Sequence, residues 1–262
     1  MSLCDEVKDL LNIMAIMRDP HKGCSWTREQ TYKSLLRHTI EEAYEVADVV
    51  EREEHSELKG ELADLLNQVI FYSRLAEEDG NFDFKDVVCH LKTKLIKRHP
   101  DVFSTYEDKT VDELEDQWER LKHIERTQNS DKSILSHIAY NMPALSIANK
   151  IQTRVSAVGF DWDGINEVVL KIQEESLELV EAFSTKNKES IIDELGDLMF
   201  SCVNLARHLR EDSEQVMRLS CRKFEQRFRK VESVLESQNI DLKSATKEEY
   251  NQAWNKAKKL VC

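Results

Sequence analysis

Glu174-Glu175-Ser176-Leu177-Glu178, followed twenty residues on by Glu194-Leu195-Gly196-Asp197, is the stretch from which the rest of the chain can be read. The same arrangement stands earlier, as Glu41-Glu42-Ala43-Tyr44-Glu45 and then Glu61-Leu62-Ala63-Asp64. One shift of 133 residues superposes every acid of the two sets. A match of that extent at a single shift is improbable by chance even in an acidic protein, so the chain reads as a duplication.

The echo continues outward from the acids. Trp26 precedes the first cluster and Trp162 the second. Lys94 and Arg98 stand four apart, as do Lys223 and Arg227; Trp118 and Lys122 are paired in the same way, as are Trp254 and Lys258. Between the halves the polar, aperiodic run Thr127–Ser133 reads as the start of a linker. The expected organisation is an N-terminal unit over 1–126, a linker over 127–140 and a C-terminal unit over 141–262. Within each half the apolar residues recur at three- and four-residue steps, over 35–50 and 62–75 and again over 168–180 and 195–205. A third helix (85–98 and 213–235) and a short last one (110–125 and 246–259) complete each unit, with Asn81–Asp83 and Phe160–Gly164 as loops. The fold class is therefore all-α, two tandem repeated helical bundles.

Composition agrees. The 262 residues contain only 6 Gly and 3 Pro, too few turn residues for a strand-rich fold. The net charge of -13 disfavours general binding to nucleic acid. No stretch reaches the roughly 18 apolar residues of a membrane span, and Met1–Glu6 lacks the basic start and apolar run of an export signal. The six cysteines are scattered without a C-x-x-C, so free thiols in a reducing cytoplasm are expected rather than disulfides or zinc.

Residues three or four apart share a helix face. Glu175 with Glu178, and Glu194 with Asp197, would thus aim four carboxylates from two facing helices at one point. Between 174 and 197 eight acids stand against two lysines. Like charges converging in this way are costly unless protonated or neutralised by a cation. An all-carboxylate set suits a hard cation, Mg²⁺ with Mn²⁺ as a substitute. Glu42, Glu45, Glu61 and Asp64 form the matching second site. The other four-carboxylate bundles, the di-iron proteins, require Glu-x-x-His, and no histidine here has Glu three positions before it. Beside a metal, the cations Lys223, Arg227 and Lys258 suit the oxygens of a nucleoside polyphosphate, and Trp254 could stack on a base.

With these motifs in hand the chain resembles the MazG-type, all-α nucleoside triphosphate pyrophosphohydrolases, in particular their two-domain members. The resemblance rests on the duplicated acidic motifs together with Gly23–Thr31, Arg98–Phe103 and Val158–Trp162, and it covers essentially the whole chain. It departs at Ser25, where the family's G-C-P-W segment has proline. The resemblance implies hydrolysis of a nucleoside triphosphate to the monophosphate and diphosphate, serving nucleotide-pool control. It implies Mg²⁺ on Glu175, Glu178, Glu194 and Asp197, and nucleotide on Lys171, Lys223, Arg227, Trp254 and Lys258. Glu174 or Glu175 is the candidate for orienting the attacking water. It further implies a homodimer.

The halves differ at one polar position. The shift of 133 sets Phe71 opposite Asn204, two helical turns past Asp197, and an amide there can bind phosphate or sugar where Phe cannot. The resemblance, through the family's nucleotide-bound members, implies that the C-terminal half is the main catalytic unit. The rival expectation is a non-catalytic helical interaction protein whose acids hold a structural or regulatory ion; a phosphatase releasing orthophosphate is a second.

Overall fold

The structure, a computed structural model, describes residues 2–104, 109–111, 113–114, 117–118, 120–121, 131 and 133–261. The described residues are helical with no strand among them, and the chain separates into two compact units, Met1–Asp108 and Lys109–Cys262. Lys122 and most of the run Thr127–Ser133 lie outside the described residues.

The first unit is built from α1 (Leu3–Met17), α2 (Ser25–Glu29), α3 (Tyr32–Glu51), α4 (Leu58–Glu78), α5 (Phe84–Arg98) and α6 (Pro100–Phe103). Three of its helices, α1, α3 and α5, start where side chains satisfy orphan N–H groups. Thr31 and Ser34 form a capping box at α3, and Asp83 and Asp86 form one at α5. The core is Met14, Leu35, Ile70, Phe71 and Leu75, with Leu11, Tyr72 and Phe84 packed on it, so α1, α3 and α4 share one apolar seam. Asn81–Asp83 is the expected loop.

The second unit contains α7 (Ala144–Ser156), α8 (Ile165–Thr185), α9 (Lys188–His208), α10 (Ser213–Ser237) and α11 (Lys247–Leu260). Gly159 ends the α7 segment at φ +87, a conformation that costs glycine little. The following loop, Phe160–Gly164, falls where the sequence places it. Helices α8 and α9 are joined by two residues only: Lys186 is left-handed at φ 56, and the Asn187 side chain accepts from the Glu189 N–H. So short a connection forces the pair antiparallel. Helices α10 and α11 enclose Val231, Leu235, Ala253 and Ala257, all at most 1 % exposed. The segment before α7 packs into this unit: Ser136 and Ile138 are buried, and Arg154 donates to the carbonyls of Ile134 and Ser136.

Candidate active site

The α8–α9 hairpin carries the acids. Its antiparallel course lays the turn holding Lys171, Glu174, Glu175 and Glu178 beside the α9 face holding Glu194, Asp197 and Asn204. One carboxylate oxygen each of Glu175, Glu194 and Asp197 lies within 4.8 Å of the others. Glu175 is the buried member, 4 % exposed. Its Oε1 accepts from Lys171 Nζ at 2.8 Å, while Oε2 is buried without a hydrogen-bond partner. Lys171 also holds the more exposed Glu174, at 2.7 Å. These two carboxylates raise the lysine's pKa and keep it charged.

Glu178 stands beside this trio rather than within it. Burial, and then the charges of Glu175 and Glu194, push its carboxyl above the usual range even though Lys171 pulls the other way. A raised carboxylate among carboxylates is the electrostatic signature of a site short of positive charge. The donor set fits a hard divalent cation: every ligand atom is a carboxylate oxygen, and a buried one lacks any partner. A buried carboxylate oxygen without a partner calls for an explanation, and a bound cation is one.

A cavity of about 580 Å³ opens next to the trio. Lys171, Glu175, Asp197 and Asn204 line it, with Gln152 from α7 and Phe160, Asp161 and Trp162 from the loop. Gln152 Nε2 donates to the Phe200 carbonyl at 2.8 Å, leaving a buried Oε1 without a partner in the cavity wall. Arg207 closes one side. Its guanidinium bonds Asn204 Oδ1 from Nε at 3.0 Å and from Nη2 at 2.8 Å, and pairs with both oxygens of Asp161. His208 reaches Asp161 as well, at 3.1 Å. Burial raises the Asp161 pKa, but the bonds from Arg207 and the Trp162 N–H outweigh it and hold the carboxyl below its usual range.

The remaining expected residues sit elsewhere in the unit. Lys223 and Arg227 are on α10, and Trp254 and Lys258 on α11; none of the four lines the cavity. Trp254 packs in the α10–α11 core, its ring 5.3 Å from that of Phe224, and Arg227 donates to the Val261 carbonyl at 3.3 and 3.4 Å.

The first unit also gathers three carboxylates, but with the counterpart of Glu178 inside the trio and that of Asp197 beside it. Glu42, Glu45 and Glu61 bring their oxygens within 4.8 Å of one another, with Asp64 acting on them through its charge. Burial foremost, then Glu45 and Asp64, raises the pKa values of both Glu42 and Glu61. Phe71 is buried at the place of Asn204, with the Arg18 guanidinium 5.5 Å from its ring centre. His38 occupies the place of Lys171, 3.5 Å from Glu41.

Sequence reasoning missed Gln152 and Arg207. Arg207 lies three residues past Asn204 on the same face, so the helical period contained it; Gln152 lies on a helix that carries no acids.

Comparison with known proteins shows the family. The MazG nucleotide pyrophosphohydrolase domain profile matches twice, over residues 30–103 and 164–232. The nucleoside triphosphate pyrophosphohydrolase of Escherichia coli (strain K12) is 38% identical over 261 residues, covering 97% of this chain and 98% of its own. The nucleoside triphosphate pyrophosphohydrolase/pyrophosphatase MazG of Thermotoga maritima is 39% identical over 251 residues, covering 96% and 95%. An uncharacterized protein, YabN, of Bacillus subtilis is 31% identical over 257 residues, 98% of this chain but 52% of its own length.

Proposed function

The chain belongs to the MazG nucleotide pyrophosphohydrolase family, and from that premise we propose that it cleaves nucleoside triphosphates to the monophosphate and diphosphate in a Mg²⁺-dependent reaction at the α8–α9 site. The observation that carries the reading is Glu175: a buried carboxylate with an unpartnered oxygen, drawn together with Glu194 and Asp197 at the edge of a cavity. Glu175, Glu178, Glu194 and Asp197 would hold the cation, for which Mn²⁺ can substitute. Bound there, it neutralises charge on the phosphate oxygens.

The chain's own residues do the rest. Lys171, kept protonated by its two glutamates, provides a second positive charge at the cavity wall. Glu174, exposed and 2.7 Å from Lys171, can accept a proton from a water and so orient it, as can Glu175. Asn204 offers an amide to phosphate or sugar. Lys223, Arg227, Trp254 and Lys258 can hold nucleotide only where it extends beyond the cavity onto α10 and α11.

A cytoplasmic enzyme of nucleotide-pool control fits this chemistry; among the described residues no helix is long and apolar enough to cross a membrane. The hairpin also leaves Leu170, Leu177, Val180 and Phe183 of α8 about 60% exposed. Faces of that kind are covered in stable proteins, and a second copy is the proposed cover, giving a homodimer.

The deciding experiment measures diphosphate and orthophosphate released from a panel of nucleoside triphosphates, with and without Mg²⁺. Mg²⁺-dependent diphosphate is expected. Orthophosphate in its place would identify a phosphatase; metal binding without turnover would identify an ion-binding interaction protein.

A further inference from the structure

Arg207 is the residue that touches both sides of the cavity. It lies on α9, one helical turn beyond Asn204, and its five N–H donors are arranged in a rigid planar fork. Two of them converge on one acceptor, Asn204 Oδ1, at 3.0 and 2.8 Å. Two reach the carboxylate of Asp161, at 2.9 Å on Oδ2 and on Oδ1 as well. Asp161 sits in the loop that also carries Phe160 and Trp162 to the cavity.

Two consequences follow. An asparagine amide can present either its oxygen or its nitrogen, and the choice is set by its partners. A guanidinium has only donors, so it can meet Asn204 only through the oxygen. The Nδ2 group is thereby the free end, and it makes no hydrogen bond within the described chain. The bidentate pair with Asp161 is of the strong, geometrically specific kind, which fixes the loop relative to α9.

The first unit lacks both features. Arg74 stands at the place of Arg207, but its donors go to Glu77 at 3.0 Å and Glu78 at 2.8 Å. Phe71 replaces the asparagine, and Ser25 precedes Trp26 where Asp161 precedes Trp162.

We propose that Arg207 is a positioning residue for the nucleotide: it fixes Asn204 with Nδ2 presented to an acceptor oxygen of the substrate, and it holds the Asp161 loop, with Trp162, against the cavity. The role rests on the functional reading above, and it belongs to the second unit alone. Arg207 itself touches no reacting atom, so its loss should weaken binding more than it slows the bound reaction.

The test is the affinity for an α,β-methylene nucleoside triphosphate in Mg²⁺, together with KM and kcat for the hydrolysable parent. Arg207→Gln should raise both Kd and KM by about 10-fold or more, the worth of a hydrogen bond to a charged or fixed group, with a smaller change in kcat. Asn204→Asp keeps an acceptor for Arg207, and with it the melting temperature, but presents no donor. It should lose affinity at least as severely as Asn204→Ala. In an Asp161→Ala, Asn204→Ala background, adding Arg207→Gln should cost less than about twofold, because both groups it positions are gone.

An Arg207→Gln variant within twofold of wild type in Kd and KM would overturn the proposal. So would its full cost persisting in the double background, or wild-type affinity in Asn204→Asp. A wild-type protein that neither binds the analogue nor releases diphosphate would overturn the functional reading and the role of Arg207 together.

Discussion

Glu175 is the only buried carboxylate of its site, and the fold holds it there on a single lysine contact with one oxygen unsatisfied. Replacing it by Gln keeps the shape and removes the charge. With the first-unit site disabled, Glu175→Gln or Asp197→Asn should reduce Mg²⁺-dependent diphosphate release about 100-fold or more, the scale of a lost charge-stabilising group. Because the change also relieves repulsion, the metal-free variant should melt no lower than wild type, while the rise in Tm on adding Mg²⁺ should shrink. Near-normal turnover in both variants would sink the assignment. Glu178 gives a pH signature. Its raised pKa means that the folded state binds a proton more readily than the unfolded one. Protonation therefore favours the fold, and stability credited to this group falls as pH rises from the ordinary carboxylate value of 4.5 through the raised one. Without metal, wild type should lose stability relative to Glu178→Gln across that window; parallel Tm curves would show that the raised pKa is not there.

The elements that carry the acidic clusters are also those the sequence displays most openly. Acids and apolar residues on α3, α4, α8 and α9 follow the 3.6-residue period, so these helices and the loops after α4 and before α8 fall where expected. Helices α1 and α7 were not expected. Their apolar residues are periodic too, but neither carries one of the duplicated acidic motifs, and a reading anchored on those motifs passes over them. Each nevertheless completes a core or a cavity: Met14 of α1 is buried in the first-unit core, and Gln152 of α7 lines the site. The α10–α11 pair depends on packing in the same way. Leu235 is fully buried among Val231, Ala253 and Ala257. Truncating it leaves a cavity the neighbouring alanines cannot fill, so Leu235→Ala should cost about 2–5 kcal/mol in urea denaturation of this unit. A loss under 1 kcal/mol would show that α11 is not pinned there.

At the scale of the whole molecule the two units keep the same acids and differ in what surrounds them. The second has Lys171, Asn204 and a latched loop; the first has His38, a buried Phe71 and arginines engaged by glutamates. A missing polar contact to a charged group costs about 1.5–3 kcal/mol, or roughly 10- to 150-fold in rate. Disabling Glu42 and Glu45 should therefore leave most diphosphate release, whereas disabling Glu175 and Glu178 should remove it. A greater loss in the Glu42/Glu45 variant, with both proteins folded, would reverse the ranking. Light scattering in Mg²⁺ buffer should return twice the chain mass of 30.6 kDa; a monomer at micromolar concentration would refute the proposed dimer.

The sequence by itself determined the helical class, the duplication and the clustering of the acids, because helical period and residue spacing are local properties that a linear text preserves. That Glu175 is the member taken out of water was not legible, since Glu174 beside it has the same chemistry and only the rotation of α8 against α9 separates them. Nor was it legible that Glu178 stands outside the close trio, or that Lys223, Arg227, Trp254 and Lys258 gather on α10 and α11 away from the cavity. Their spacing placed each pair on one helix face, but which way that face turns depends on how the helices pack. The link from Arg207 to Asp161 spans 46 residues of chain. Contacts of that separation carry no period and no motif, and they exist only once the tertiary structure brings the loop to the end of α9.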